Sequence, residues 1–157
     1  MENRANDPAI INDLIKINND RIAGYREALD LAHSMRIDDL GGIFAKYILQ
    51  SEQFITELTP YFKLEGEQPA DSTMLSGKLF RLWMNIKVNI SGNDRKSLLE
   101  SCEKGEDAFK ATYRKILEED REALSIHVVS LIENQLSKQL VAHDQIKLLR
   151  DTISDII

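Results

Sequence analysis

The chain has 157 residues, 43% of them hydrophobic and 29% charged, and its formal net charge is −6. This length predicts one domain over residues 1–157 that buries its core without disulfides or a structural metal. The acidic balance argues against nucleic-acid binding, because binding to phosphates needs a concentrated basic surface.

Cysteine use and hydropathy predict where the chain resides. The single cysteine excludes an internal disulfide and is typical of a reducing compartment. No apolar run reaches the length of about 18 residues at which a membrane-spanning helix is expected. The opening stretch, MENRANDPAI, contains no apolar segment of the kind found in a secretory signal. We therefore predict a cytoplasmic protein that does not enter a membrane.

Four segments carry apolar residues in alternating steps of three and four, which is the spacing of one helix face. We expect each segment to form a helix of about 25 residues, roughly 37 Å long, with this face toward a shared interior. The four predicted faces are Ile11, Ile15, Asn18, Ile22, Tyr25, Leu29 and Ala32; Leu40, Phe44, Tyr47, Ser51, Phe54, Leu58 and Tyr61; Leu99, Cys102, Glu106, Phe109, Tyr113 and Ile116; and Val129, Ile132, Leu136, Gln139, His143 and Ile146.

Individual residues predict how the first two helices begin and end. Asp7 before Pro8 predicts a helix start, because Asp accepts hydrogen bonds from free amide groups and proline loses none at the first position. The Asp38-Asp39 pair predicts the cap of the second helix. Pro60 predicts a kink in the last turns of that helix.

The lengths of the connections predict the topology. Only a few residues join the first helix to the second and the third to the fourth, so each pair is expected to form an antiparallel hairpin. The stretch from Glu65 to Asp94 is much longer and predicts a crossover between the second and third helices. Within it, the spacing from Thr73 to Ile90 predicts a shorter fifth helix, with Trp83 buried against the bundle.

Two motifs carry a family resemblance. WMNIK spans Trp83 to Lys87, a Gly-Asn-Asp turn follows at Gly92, and CEKGED spans Cys102 to Asp107. With these motifs the chain resembles an uncharacterised bacterial family of ferritin-like proteins with WMNIK and CE[KR]GED sequences. The resemblance implies an all-α fold, a ferritin-like antiparallel four-helix bundle with a long crossover between helices two and three. Ferritin-like relatives often carry a carboxylate-bridged di-iron centre, whereas this family brings no established activity.

A di-iron centre in such a bundle needs a Glu from each of two helices and a Glu-x-x-His pair from each of the other two. A weak internal repeat aligns the two hairpins and indicates the equivalent positions. They are Ile22, Ser51, Phe54, Glu106, Leu140 and His143. Only Glu106 and His143 carry the expected ligand chemistry, so we name these two as candidate metal ligands. We expect them to lie within hydrogen-bond reach of each other or to share one bound group.

Other reactive residues point to structure rather than catalysis. Cys102 lies on the same predicted face as Glu106, and a buried thiol beside a carboxylate is expected to keep its proton. Neither His33 nor His127 has a Cys or Ser partner at a useful spacing, so no catalytic residue is identified.

Two functions fit these observations. The first is a non-catalytic or stress-associated structural or interaction protein with a degenerate metal site, which needs no cofactor and acts by association, for example as a homo-oligomer. The alternative is a metal-dependent, iron-type oxidoreductase or metal-binding protein that uses Glu106 and His143. The sequence favours the first over an enzyme, because too few of the expected ligands are present.

Overall fold

The computed structural model describes residues 6–62 and 95–156, and in these ranges all of the regular secondary structure is helical. The helices are α1 Pro8–Ser34, α2 Asp38–Leu58, α3 Arg95–Glu119 and α4 Ile126–Ile156, with short 3-10 turns at Thr59–Tyr61 and Arg121–Ala123. The prediction of an all-α protein with four long helices is confirmed. The predicted crossover helix and Trp83 lie outside the described residues.

The predicted helix faces form the core. Every residue of the four faces is buried except Leu29 and Tyr61, which are partly buried. The alternating spacing therefore identified the interior surface of each helix correctly. Among the described residues, no helix has the length and apolar character needed to cross a membrane.

The helix ends confirm one prediction and correct two. Asp7 Oδ1 accepts a hydrogen bond from the amide of Ala9 at 2.9 Å, and Pro8 opens α1 as expected. Asp38 is instead the first residue of α2 rather than its cap, because Ile37 holds the cap position without a side-chain bond. Pro60 follows the end of α2 at Leu58 and lies in a 3-10 turn, so it does not kink the helix.

Adjacent helices run antiparallel. The short connections pair α1 with α2 and α3 with α4, while α1 also packs on α3 and α2 on α4. Arg95 Nη1 bonds Asp39 Oδ1 at 2.7 Å, which places the first described turn of α3 beside the start of α2. This hydrogen bond from Arg95 lowers the pKa of Asp39. Since α2 and α3 run in the same direction, Phe62 and Arg95 lie at opposite ends of the molecule.

The turn between α1 and α2 contains a residue in the left-handed region. Arg36 has φ 59°, and the amide of Ile37 bonds the carbonyl of Ala32 at 2.8 Å. This arrangement closes the C-terminus of α1 in the manner usually served by glycine. A side chain at such a position costs about 1 kcal/mol.

We therefore expect Arg36→Gly to be tolerated or to stabilise the fold by up to about 1 kcal/mol, since glycine adopts this conformation without a steric penalty. Thermal unfolding would show a rise in Tm of up to about 4 °C. Arg36→Ala serves as the control, because it keeps a Cβ and should leave Tm nearly unchanged. A clear loss of stability in Arg36→Gly alone would contradict this account of the turn.

Candidate functional site

A buried ion pair lies at the centre of the four helices. Arg21 on α1 and Glu106 on α3 are both completely buried. Arg21 Nε donates to Glu106 Oε1 at 2.9 Å, and Nη2 donates to Oε2 at 2.9 Å. The guanidinium therefore binds the carboxylate through two parallel hydrogen bonds, the strongest geometry available to this pair.

The other hydrogen-bond partners of the pair come from α1, α2 and α4. Tyr25 of α1 donates its hydroxyl proton to Glu106 Oε2 at 2.6 Å. Gln139 of α4 donates from Nε2 to the Glu106 carbonyl at 2.9 Å and to Oε1 at 3.2 Å. Arg21 Nη1 donates to Ser51 Oγ of α2 at 3.1 Å. We call these five residues the central layer. Within it, both carboxylate oxygens of Glu106 accept hydrogen bonds from more than one donor.

Aromatic rings surround the guanidinium. Arg21 Cζ lies 5.6 Å from the ring centroids of Tyr25 and Tyr47 and 5.2 Å from that of Phe109. Cations at such distances are attracted by the negative faces of the rings. The three rings pack around the guanidinium and partly replace the solvation that Arg21 loses on burial.

The electrostatics keep the central layer in one protonation state. Burial alone opposes the charge of Arg21, but the Glu106 carboxylate outweighs it and raises the pKa of Arg21. Burial, reinforced by the charge of Glu106, raises the pKa of Tyr25 well above its ordinary value. The same causes raise the pKa of Tyr47 to about 12. At neutral pH both phenols therefore hold their protons.

A second polar layer lies next to the central layer. Asn18 donates to the Tyr113 hydroxyl at 2.9 Å, and this hydroxyl donates to Gln135 Oε1 at 2.7 Å. Gln135 Nε2 in turn donates to the carbonyl of Phe54 at 3.2 Å and to Glu57 Oε1 at 3.0 Å. This chain of bonds again joins all four helices. It ties α4 to α2 and fixes the relative height of the helices.

The hydrogen-bond partners of His143 are not those of Glu106. Its Nε2 lies 2.6 Å from Oδ1 of Asp107 on α3, and its Nδ1 lies 3.2 Å from Oδ1 of Asp144. No hydrogen bond joins His143 to Glu106 in the described structure, so the prediction that they pair directly is wrong. The reason is helix rotation, because Glu106 points inward while the next residue, Asp107, faces α4 at the edge. The alternative, a bound group shared by the two, stays a prediction.

The residues of the central layer do not fit a di-iron centre. The described part of the chain contains no group of three or more His, Cys, Asp or Glu residues that could hold a metal ion. Both oxygens of Glu106 already accept hydrogen bonds from Arg21 and Tyr25. A metal at this carboxylate would also face the fixed positive charge of Arg21, which cannot be relieved by deprotonation.

Sequence reasoning missed Arg21, the main cation of the site. The internal repeat indicated Ile22 as the position opposite Glu106, but the side chain that reaches Glu106 comes one residue earlier. A signal was present, since Arg21 follows Asn18 by three residues and precedes Tyr25 by four, which places it on the same helix face. The helix faces were identified mainly from apolar residues, and arginine is rarely buried unless it is paired, so Arg21 was not assigned to the interior.

Cys102 lies one turn before Glu106 and is fully buried. Burial, together with the negative charge of Glu106, raises the pKa of the Cys102 thiol well above its ordinary value. The prediction of a protonated thiol is confirmed by this environment. Cys102 therefore contributes to packing, as a small apolar residue does.

The fold and its centre define a class: an all-helical protein whose described core is closed by a buried, hydrogen-bonded ion pair. Residues 9–119 match the model of a family described as a domain of unknown function (DUF2383), and the chain belongs to that family. The matched region ends where α3 ends, so Gln139 joins the central layer from outside it. Comparison with curated proteins and with solved structures gave no match.

We expect Arg21→Met to lower the free energy of unfolding by about 3–5 kcal/mol, because it leaves Glu106 charged and unpaired in the core. The double variant Arg21→Met, Glu106→Leu should recover most of this loss, since replacing both partners leaves no buried charge. Urea denaturation of the two single variants and the double variant measures the coupling.

Arg26→Met is the matched control for this experiment. Arg26 also lies on α1, but its side chain is 65% exposed and it reaches Glu52 only at 4.0 Å. Its loss should change stability by less than about 0.5 kcal/mol. If Arg21→Met were as mild as Arg26→Met, the ion pair would not organise the core as described.

We expect Cys102 to be inert toward a thiol reagent in the folded protein and to react fully once the protein is unfolded in denaturant. The reason is its complete burial and raised pKa. Absorbance of the released chromophore measures both states. Rapid stoichiometric reaction under native conditions would contradict the buried position of this residue.

Proposed function

We propose that this protein is a ferritin-like four-helix bundle in which the Arg21 guanidinium takes the place of a metal cation, and that it acts without catalysis as a structural or interaction protein. The observation that carries the proposal is the doubly hydrogen-bonded contact between Arg21 and Glu106 in the central layer. We also propose that the protein is cytoplasmic and is associated with stress, as some ferritin-like relatives are.

The topology supports a ferritin-like arrangement. Each adjacent pair of described helices is antiparallel, while α2 and α3 run in the same direction. Such a pair needs a connection that returns along the length of the bundle, and residues 63–94 are numerous enough to supply it. The motifs WMNIK and CEKGED point the same way.

The chemistry supports a cation built into the chain. In a di-iron bundle, carboxylates from the helices are neutralised by metal ions at the centre. Here one carboxylate remains, and one guanidinium neutralises it at hydrogen-bond distance. Because the charge of Arg21 is permanent and Glu106 uses both oxygens to bind it, the site has no remaining capacity for a divalent ion.

The same closure supports a non-catalytic role. Tyr25, Tyr47 and Cys102 all have raised pKa values and hold their protons at neutral pH. Each of these groups is buried among the described helices. A protein with a closed centre acts through its outer surface, and we include self-association in the proposal.

Purified without chelator, the protein should hold well under one iron, zinc or manganese ion per chain, and it should show no absorption band of an iron centre. Elemental analysis and an absorption spectrum test this. Addition of iron(II) should not raise Tm, since a metal that does not bind the folded state cannot stabilise it.

Metal that co-purifies with the protein would contradict the proposed function. If about one or more metal ions per chain co-purify and His143→Ala releases them, the proposed function fails and the alternative of an iron-type oxidoreductase takes its place. Lys147→Ala, an exposed residue one turn from His143, is the control for losses that are unrelated to ligation.

A further inference from the structure

Two amide oxygens in the polar interior accept no hydrogen bond from the described residues. They are Asn18 Oδ1 on α1 and Gln139 Oε1 on α4, and both residues are completely buried. A polar atom that leaves water costs free energy unless a donor in the protein replaces the donors of the solvent. The contacts between the described helices do not supply these donors.

Neither oxygen can be satisfied by turning its amide over. Asn18 Nδ2 donates to the carbonyl of Leu14 at 2.9 Å and to the hydroxyl of Tyr113 at 2.9 Å. Gln139 Nε2 donates to the carbonyl of Glu106 at 2.9 Å. A carbonyl oxygen has no proton to donate, so a turned amide would place two acceptors against each other. The hydrogen bonds therefore fix both amides and leave each amide oxygen as an acceptor.

The guanidinium of Arg21 has more donors than described acceptors. Of its five N–H groups, two bond the Glu106 carboxylate and one bonds Ser51 Oγ. Two N–H groups thus have no oxygen or nitrogen acceptor among the described residues. The aromatic rings around Arg21 accept hydrogen bonds only weakly. The interior therefore holds unmatched donors and unmatched acceptors at the same time.

These unmatched groups lie in two adjacent polar layers. Arg21 Nε and Gln139 Nε2 both bond the same oxygen, Glu106 Oε1, at 2.9 Å and 3.2 Å. Asn18 lies one turn before Arg21 on the same side of α1. The hydroxyl of Tyr113 links the Asn18 amide to α4. The unmatched groups of both helices therefore border one region of the interior, between α1 and α4.

We propose that one water molecule is bound in this region and joins the two polar layers. It donates one proton to Asn18 Oδ1 and the other to Gln139 Oε1, and it accepts a hydrogen bond from the guanidinium of Arg21. A buried water typically makes about three hydrogen bonds to polar groups of the protein. This inference goes beyond the proposed function and does not depend on it, because it concerns a ligand of the interior.

The chemistry of the unmatched groups favours water over an ion. A metal or ammonium ion at the two amide oxygens would face the permanent positive charge of Arg21. An anion without protons could donate to neither amide oxygen, and it would face the carboxylate of Glu106. Water carries no net charge, and it both donates and accepts. It therefore matches both kinds of unmatched group.

The bound water accounts for the burial of Arg21. A charge in the core is stable only where the surroundings satisfy its hydrogen-bonding groups. Glu106 and Ser51 satisfy three N–H groups of the guanidinium, and the water takes a fourth. The two polar layers then form one connected network, since Asn18 of the second layer reaches Arg21 through the water.

Oxygen-17 magnetic relaxation dispersion tests the proposal, because it counts the water molecules that stay bound for longer than the protein takes to rotate. It follows the oxygen atom, so exchanging hydroxyl protons do not contribute. The full chain should hold at least one such water. Asn18→Leu keeps the size of the side chain, removes the acceptor and should lower the count by about one. Asn134→Leu makes the same change at an exposed position of α4 and should leave the count unchanged.

Gln139→Met tests whether one molecule serves both oxygens. It should also lower the count by about one, and the double variant Asn18→Leu, Gln139→Met should lower it by one and not by two. The reason is that both changes remove the same water. A loss of two waters in the double variant, or an unchanged count in either single variant, overturns the shared site.

A second measurement needs no variant. A high-resolution crystal structure of the unaltered chain should show a water oxygen within about 3.2 Å of Asn18 Oδ1, of Gln139 Oε1 and of a guanidinium nitrogen of Arg21. An ion at this position, or two amide oxygens that bond other groups of the protein, overturns the inference. Elemental analysis tests the proposed function separately, because a bound water does not change the metal content.

Discussion

The Arg21–Glu106 ion pair is the constraint on which the rest of the core depends. Removing two charges from water costs several kcal/mol per ion, and the attraction between them repays this only when the surroundings satisfy their remaining hydrogen bonds. Tyr25, Ser51 and Gln139 do so from three different helices. The helices therefore cannot rotate or slide independently without exposing a buried charge, so the pair selects one arrangement of the core.

The second polar layer extends this constraint along the bundle. Apolar contacts alone tolerate small shifts between helices, because leucine, isoleucine and phenylalanine can repack. The bonds of Tyr113 and Gln135 do not tolerate them, since a displaced buried donor or acceptor costs about 1–3 kcal/mol. Two adjacent polar layers thus set the heights of all four helices.

A closed centre shifts the question of function to the surface. The two carboxylate oxygens of Glu106 already accept hydrogen bonds from Arg21, Tyr25 and Gln139. Among the described residues, the large apolar side chains that face solvent lie on α2 and α4.

The amino-acid sequence by itself determined the four helices and their buried faces, because the apolar period depends only on the geometry of a single helix. It also identified Cys102, Glu106, Gln139 and His143 as interior residues before any packing was known. The start of α1 at Asp7-Pro8 was also predicted correctly, because a helix cap depends only on neighbouring residues. Asp38 was misplaced by one position, since a carboxylate in the first turn and one at the cap are both favourable near a helix N-terminus.

Only the tertiary structure decided which interior residues meet. The sequence places Glu106 and His143 on helix faces that point to the same interior. The rotation of α3, however, brings Glu106 to Arg21 and brings Asp107, the next residue, to His143. Such choices depend on the relative height and rotation of two helices to within an ångström or two, and on the reach of a long side chain. No helical period contains that information, because it describes each helix alone, whereas a hydrogen bond between helices is a property of both.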